Sequence, residues 1–171
     1  MAEKIIKGVL QFILILAVQV LILNNVNLFG FAQPMLYIWF ILFMPYNSPK
    51  WLLLTVSFLL GFCVDVFSAQ VGFHTAVSVF TAFIRPVFTR AFAPNQDTNS
   101  GNNPSAADMG LVKFLVYVSI MTLIHVFLLI VAETFRVDEL ADMFIRIGLS
   151  SVVTIVLILV CDAVFFRVKR V

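Results

Sequence analysis

Long apolar runs recur along the whole chain, and they constrain its fold more strongly than any motif. Hydrophobic residues make up 62% of the sequence and charged residues only 12%, with a mean hydropathy of +1.08. A soluble domain is about 45–50% apolar, so we predict an integral membrane protein. Each helical span needs about 20 residues, which leaves room for roughly six spans and short connections.

The predicted fold is all-α, a polytopic membrane protein with six transmembrane helices in a single domain covering residues 1–171. The spans are expected at about residues 5–24, 33–46, 51–68, 72–92, 113–134 and 143–166. We interpret the first as a span and not as a signal peptide, because Asn24 and Asn25 replace the small residues of a cleavage site. Within it, Gln11 and Gln19 are expected to hydrogen-bond a neighbouring helix.

The second apolar segment is short and flanked by prolines, so a re-entrant or interfacial segment is an alternative to a span. The distribution of Lys and Arg favours a span with both termini in the cytoplasm. All Lys and Arg residues except Arg136 and Arg146 then lie on the cytoplasmic side. A five-span chain with its N-terminus outside would move Lys4 and Lys7 outward and fits this rule less well.

Residues 93–112 interrupt the apolar pattern. From Pro94 to Ser105 the chain contains no aliphatic residue, which predicts a flexible cytoplasmic loop. Cys63 and Cys161 both lie in apolar runs and indicate neither a disulfide nor a metal site. The formal charge of +2 is too small to indicate a nucleic-acid partner.

The stretch from Gly61 to His74 places an ionisable pair inside apolar sequence. The third span ends with Gly61-Phe-Cys-Val-Asp65-Val-Phe-Ser68, and Gly72-Phe-His74 begins the fourth. A carboxylate at membrane depth needs a partner or a task. We expect a hairpin with its outer turn at Gly72, held closed because Asp65 accepts hydrogen bonds from free N–H groups of the fourth span or from His74. Contact with a partner helix, and proton or solute handling, are the alternatives.

Four other charged residues are expected to form ion pairs within the membrane. Glu133 is predicted to pair with Arg146 near the outer side. Asp162 is predicted to pair with Arg85 or Arg167 near the inner side.

The sequence lacks the common catalytic and metal-binding motifs, and we predict no catalytic, cofactor or metal site. Ser68, His74 and Asp65 could be drawn as a triad, but nothing near them supplies an oxyanion hole or a nucleophile turn. His125, alone near the middle of the fifth span, is expected to form an interhelical hydrogen bond.

The chain resembles the rod-shape-determining protein MreD family of the bacterial elongation machinery. The resemblance covers nearly the whole chain. It rests on size, the six-span plan, the short second segment and above all the pattern of Gly61, Asp65, Ser68, Gly72 and His74. The polar loop after the fourth span is longer than expected of a compact member.

The resemblance implies a non-enzymatic component of the bacterial inner (plasma) membrane. Such a protein would bind MreC and work with the actin-like MreB, the glycosyltransferase RodA and its partner transpeptidase in lateral peptidoglycan synthesis. It also implies a fold similar to the S-components of energy-coupling-factor (ECF) vitamin transporters. That likeness supplies the alternative function, binding and uptake of a small molecule such as a vitamin. Uptake ranks second because the first span carries Gly8 and Ala17 but no small-x-x-x-small pair.

Overall fold

The computed structural model describes residues 2–25, 33–70, 72–93, 103–133 and 140–167. The part of the chain so described is helical and contains no strand, which confirms the all-α prediction. Its elements are α1 (Ala2–Leu21), a 3-10 turn (Leu23–Asn25), α2 (Tyr37–Leu42), α3 (Lys50–Ser68), α4 (Phe73–Phe92), α5 (Ala106–Met109), α6 (Leu111–Glu133) and α7 (Leu140–Arg167).

Three helices within these ranges are long and apolar enough to cross a membrane. They are α3, α6 and the part of α7 from Asp142 to Phe165. In α1 the apolar stretch Ile6–Leu21 is shorter. Helices with the length and hydropathy of membrane spans are thus confirmed, and the full count of six stays a prediction.

The second segment lies at the centre of the fold. Its helix, α2, contacts α1, α3, α4 and α6, and Trp39 packs against Phe165 of α7 at 5.1 Å between ring centroids. Every residue from Pro34 to Met44 is buried except Phe40, which is half-buried. This segment is therefore a core element enclosed by the longer helices.

The helix in this segment is much shorter than the predicted span of residues 33–46. It has 6 residues, and Gln33–Leu36 before it and Phe43–Pro49 after it are not helical. Pro34 lacks an N–H group, and both Pro34 and Pro45 disfavour helical geometry in the residue before them. Pro34 therefore disfavours helix at residue 33, and Pro45 disfavours continuation of the helix through Met44.

The α3–α4 hairpin depends on two glycines. A Cβ atom on Gly61 would lie 2.6 Å from the Cα of Thr75 and 2.7 Å from the carbonyl oxygen of His74, so the helices meet at this point. Gly72 precedes α4 with a φ of +83°, a left-handed conformation that suits glycine. Glycine at 61 permits close packing, and glycine at 72 permits the reversal.

Part of the predicted flexible loop is packed. Of residues 93–112, those from 94 to 102 lie outside the described residues, but α5 contacts both α6 and α7. Ser105 and Met109 are buried, and the Nδ2 of Asn103 donates to the carbonyl oxygen of Phe43 at 2.6 Å. Burial of Met109 and this hydrogen bond hold residues 103–110 against the helices.

Gly61→Ala should destabilise the chain because the new methyl group would push α3 away from α4. We expect a loss of about 1–3 kcal/mol in the free energy of unfolding, measured in mixed micelles by titration with a denaturing detergent. Gly8→Ala is the matched control, since nothing lies within 4 Å of a Cβ at that position. Equal effects of the two substitutions would contradict the close approach at Gly61.

Candidate functional site

Asp65 joins the end of α3 to the start of α4. Its Oδ1 accepts a hydrogen bond from the backbone N–H of His74 at 3.0 Å. Its Oδ2 accepts from the backbone N–H of Thr75 at 2.8 Å and from the Thr75 hydroxyl at 2.5 Å. We call this arrangement the α3–α4 lock.

The lock caps the free N–H groups at the start of α4. The first N–H groups of a helix have no partner within that helix, and they are normally capped by a side chain just before it. Gly72 occupies that position and has no side chain. Asp65, only 3% exposed, supplies the cap from the neighbouring helix.

The imidazole of His74 does not contact Asp65 in this arrangement. Its Nδ1 lies 3.3 Å from the Tyr37 hydroxyl, which in turn lies 2.7 Å from Nε2 of His125. Nδ1 of His125 lies 2.8 Å from the Thr81 hydroxyl. These four side chains form a buried polar chain that connects α2, α4 and α6.

The direction of the hydrogen bonds along the polar chain follows from its last member. The Thr81 hydroxyl donates its single proton to the carbonyl oxygen of Val77 at 2.8 Å, so it accepts from Nδ1 of His125. For neutral rings, Nε2 of His125 then accepts from Tyr37, and the Tyr37 oxygen accepts from Nδ1 of His74. The remaining nitrogen of His74, Nε2, makes no hydrogen bond to the described residues.

Side chains of α1 and α7 satisfy the non-helical backbone before α2. Gln19 Nε2 donates to the carbonyl oxygen of Pro34 at 3.0 Å, and its Oε1 accepts from the N–H of Tyr37 at 3.3 Å. The N–H of Met35 donates to Thr154 at 3.1 Å, and that of Gln33 to Ser150 at 3.0 Å. Gln19 thus bonds the second segment, in line with its expected interhelical contact.

Arg85 forms hydrogen bonds with the non-helical backbone after α2. Its Nε donates to the carbonyl oxygen of Leu42 at 3.2 Å, and its Nη2 donates to that of Met44. The hydroxyl of Tyr117 also donates to Leu42, at 3.2 Å. Arg85 is 3% exposed, so it is a buried clamp on the α2 C-terminus and does not reach outward.

Of the predicted ion pairs, Arg85 with Asp162 is not formed, whereas Glu133 with Arg146 and Asp162 with Arg167 stay predictions. Arg85 donates to carbonyl oxygens of the second segment rather than to Asp162, whose Oδ1 is buried without a hydrogen-bond partner. The Arg167 side chain lies outside the described ones. Glu133 is within electrostatic range of Arg146, but its Oε1 is buried without a hydrogen-bond partner.

Ser68, His74 and Asp65 do not form a relay. Ser68 Oγ accepts a hydrogen bond from Asn24 Nδ2 at 2.8 Å, His74 Nδ1 faces Tyr37, and Asp65 is occupied by the first turn of α4. Within the described ranges, no group of three His, Cys, Asp or Glu residues could hold a metal ion.

The sequence interpretation missed Tyr37 and Thr81 as members of the polar core, and it gave Arg85 a carboxylate partner instead of carbonyl oxygens. Tyr37 looks like one more residue of an apolar run. Ser150 and Thr154, spaced four apart on one face of α7, were the available signal for a polar contact with another segment.

Comparison with known proteins yields no relative: no family model, no curated protein and no solved structure matches this chain.

Asp65→Ala should open the lock, because it leaves the N–H groups of His74 and Thr75 without a partner. Each unsatisfied buried donor costs about 1–3 kcal/mol. We expect lower stability to detergent unfolding and faster hydrogen exchange of those two amides. Asp142→Ala, at an exposed position of α7, should change neither, and unchanged exchange in Asp65→Ala would contradict the lock.

Two buried threonines allow a matched test of the polar chain. Thr81→Val removes the partner of His125 and should destabilise by about 1–3 kcal/mol. Thr122→Val removes a hydroxyl that has no hydrogen-bond partner, and it should be neutral or stabilising. Both side chains are 0% exposed, so burial does not distinguish them. Equal losses in detergent unfolding would show that the His125–Thr81 bond contributes nothing.

Proposed function

We propose that this chain is a non-catalytic scaffold of a bacterial inner membrane that binds MreC, as a protein resembling the MreD family would. Through MreC it would link MreB, RodA and the partner transpeptidase to lateral peptidoglycan synthesis. The observation that carries the proposal is the α3–α4 lock, in which both carboxylate oxygens of Asp65 are used in holding two helices together.

Four of the five residues of the family-like pattern build or anchor the hairpin, and the fifth, Ser68, bonds Asn24. Gly61 brings the helices together, Asp65 caps α4, Gly72 allows the reversal, and His74 anchors the hairpin to α2 through Tyr37. A motif whose glycines and carboxylate are used in joining two helices produces a rigid element. Rigidity suits a protein that acts by presenting a surface.

One stripe of α3 provides a surface of this kind. Phe58, Phe62 and Val66 are spaced four apart and are 47%, 50% and 59% exposed. The rings of Phe58 and Phe62 stack at 6.0 Å between centroids. Helices associate in membranes through shape-matched packing, so a partner helix such as that of MreC would pack along this stripe.

The same proposal includes six membrane crossings, both termini in the cytoplasm and a fold similar to ECF S-components. Residues 33–44 extend alongside α4, which supports a membrane crossing by the second segment. Tyr37 contacts His74 at the start of α4, whereas Leu42 and Met44 contact Arg85 about 16 Å further along that helix. Non-helical backbone is tolerated at membrane depth when protein encloses it. The Lys and Arg distribution supports the orientation.

Affinity capture of the tagged full chain from native membranes tests the proposed partners. We expect MreC and wall synthases in the captured fraction, with a lower yield from Asp65→Ala and an unchanged yield from Asp142→Ala. Capture of ATPase subunits of a transporter without MreC would overturn the scaffold role in favour of the alternative, S-component-like vitamin uptake.

A photo-crosslinking amino acid at Phe62 or Val66 tests the stripe in living cells. We expect crosslinks to a protein partner at both positions. Val156 of α7, 53% exposed, is the control position and should give none. Crosslinking at Val156 alone would place the partner on another face.

A further inference from the structure

A polar cavity lies where α1 and α3 end and α4 begins. Its volume is about 400 Å³, within the range of small-molecule sites. The polar side chains around it are those of Gln19, Asn24, Gln33, Ser68, Gln70 and His74.

Some of these side chains already have partners and form the structural part of the wall. Gln19 Nε2 donates to Asn24 Oδ1 at 2.9 Å as well as to Pro34, and Asn24 Nδ2 donates to Ser68. These bonds keep the amide groups in fixed orientations. A ligand would meet a preformed wall.

Other groups in the wall remain free to bind. Nε2 of His74 is an acceptor in the hydrogen-bond order derived above, and no described residue donates to it. Oε1 of Gln33 is a second acceptor, and no described residue donates to it. The Ser68 hydroxyl accepts from Asn24 and keeps its own proton to donate. A matching ligand therefore brings several donors and at least one acceptor, as neighbouring hydroxyl groups do.

The charge of the wall narrows the ligand class further. None of the side chains around the cavity carries a formal charge when His74 is neutral. Asp65 is not among them, and the α3–α4 lock occupies both of its carboxylate oxygens. A phosphate or an ammonium group placed here would lose hydration without an opposite charge in the wall, which is costly.

We propose that this cavity binds a small neutral polyhydroxylated molecule of the monosaccharide class. Its hydroxyl groups donate to His74 and to Oε1 of Gln33 and accept from Ser68, and the Gln33 amide nitrogen provides a further donor. Phe67 supplies an apolar surface for the C–H face of the ring. This site goes beyond the scaffold role and does not depend on it, because binding is measured on the isolated chain.

Saturation-transfer NMR tests the site with the full chain in lipid nanodiscs free of glycoside detergents. The probes are methyl α-glucoside, which is neutral, and glucose 6-phosphate and glucosamine, which carry opposite charges. We expect saturation transfer to the neutral probe only. Absence of transfer to methyl α-glucoside, or equal transfer to either charged probe, would overturn the proposal.

Two variants test whether methyl α-glucoside binds in this cavity. Gln33→Leu and Ser68→Ala should each weaken binding of methyl α-glucoside about tenfold, through loss of a hydrogen bond. Gln11→Leu removes an amide of α1 that does not line the cavity and should leave binding unchanged. Thermal unfolding of each variant verifies that it is folded. Unchanged binding in both cavity variants would refute the assignment, whatever partners the chain has in cells.

Discussion

The buried backbone of residues 33–44 is the constraint on which the rest of this structure depends. A short helix with non-helical residues at both ends leaves N–H and C=O groups that water cannot reach, and each one needs a partner. Gln19, Thr154 and Ser150 supply partners before α2, and Arg85 and Tyr117 supply them after it. These five polar side chains are thus explained by the needs of the segment that they surround.

The α3–α4 lock and the polar chain extend the same logic to the start of α4. Asp65 satisfies the first turn of α4 from a neighbouring helix, and His74 from that turn reaches Tyr37 of α2. His74 therefore connects the hairpin to the start of α2, as Arg85 connects it to the end of α2. An element held in this way keeps a constant shape, which is the property that the proposed scaffold role requires.

Particular residues show how far sequence reasoning could reach. Asp65 was identified because a carboxylate in an apolar run is costly, and one of its expected partners was the free N–H groups of the next helix. Arg85 was one of the two expected partners of Asp162, on sound electrostatic grounds, but its guanidinium instead donates to buried carbonyl groups. Sequence spacing cannot reveal that competition, because residues 42–44 and Arg85 meet only in the folded chain.

The sequence by itself determined the all-α class, the apolar helices and the tight turn at Gly72, since these follow from hydropathy, helical length and backbone freedom, which are local properties. Tertiary structure decided that the second segment is enclosed, that Arg85 clamps it, and that Tyr37 joins two histidines from different helices. Those outcomes depend on which groups lack partners once the helices pack. Only the assembled core defines that set of groups.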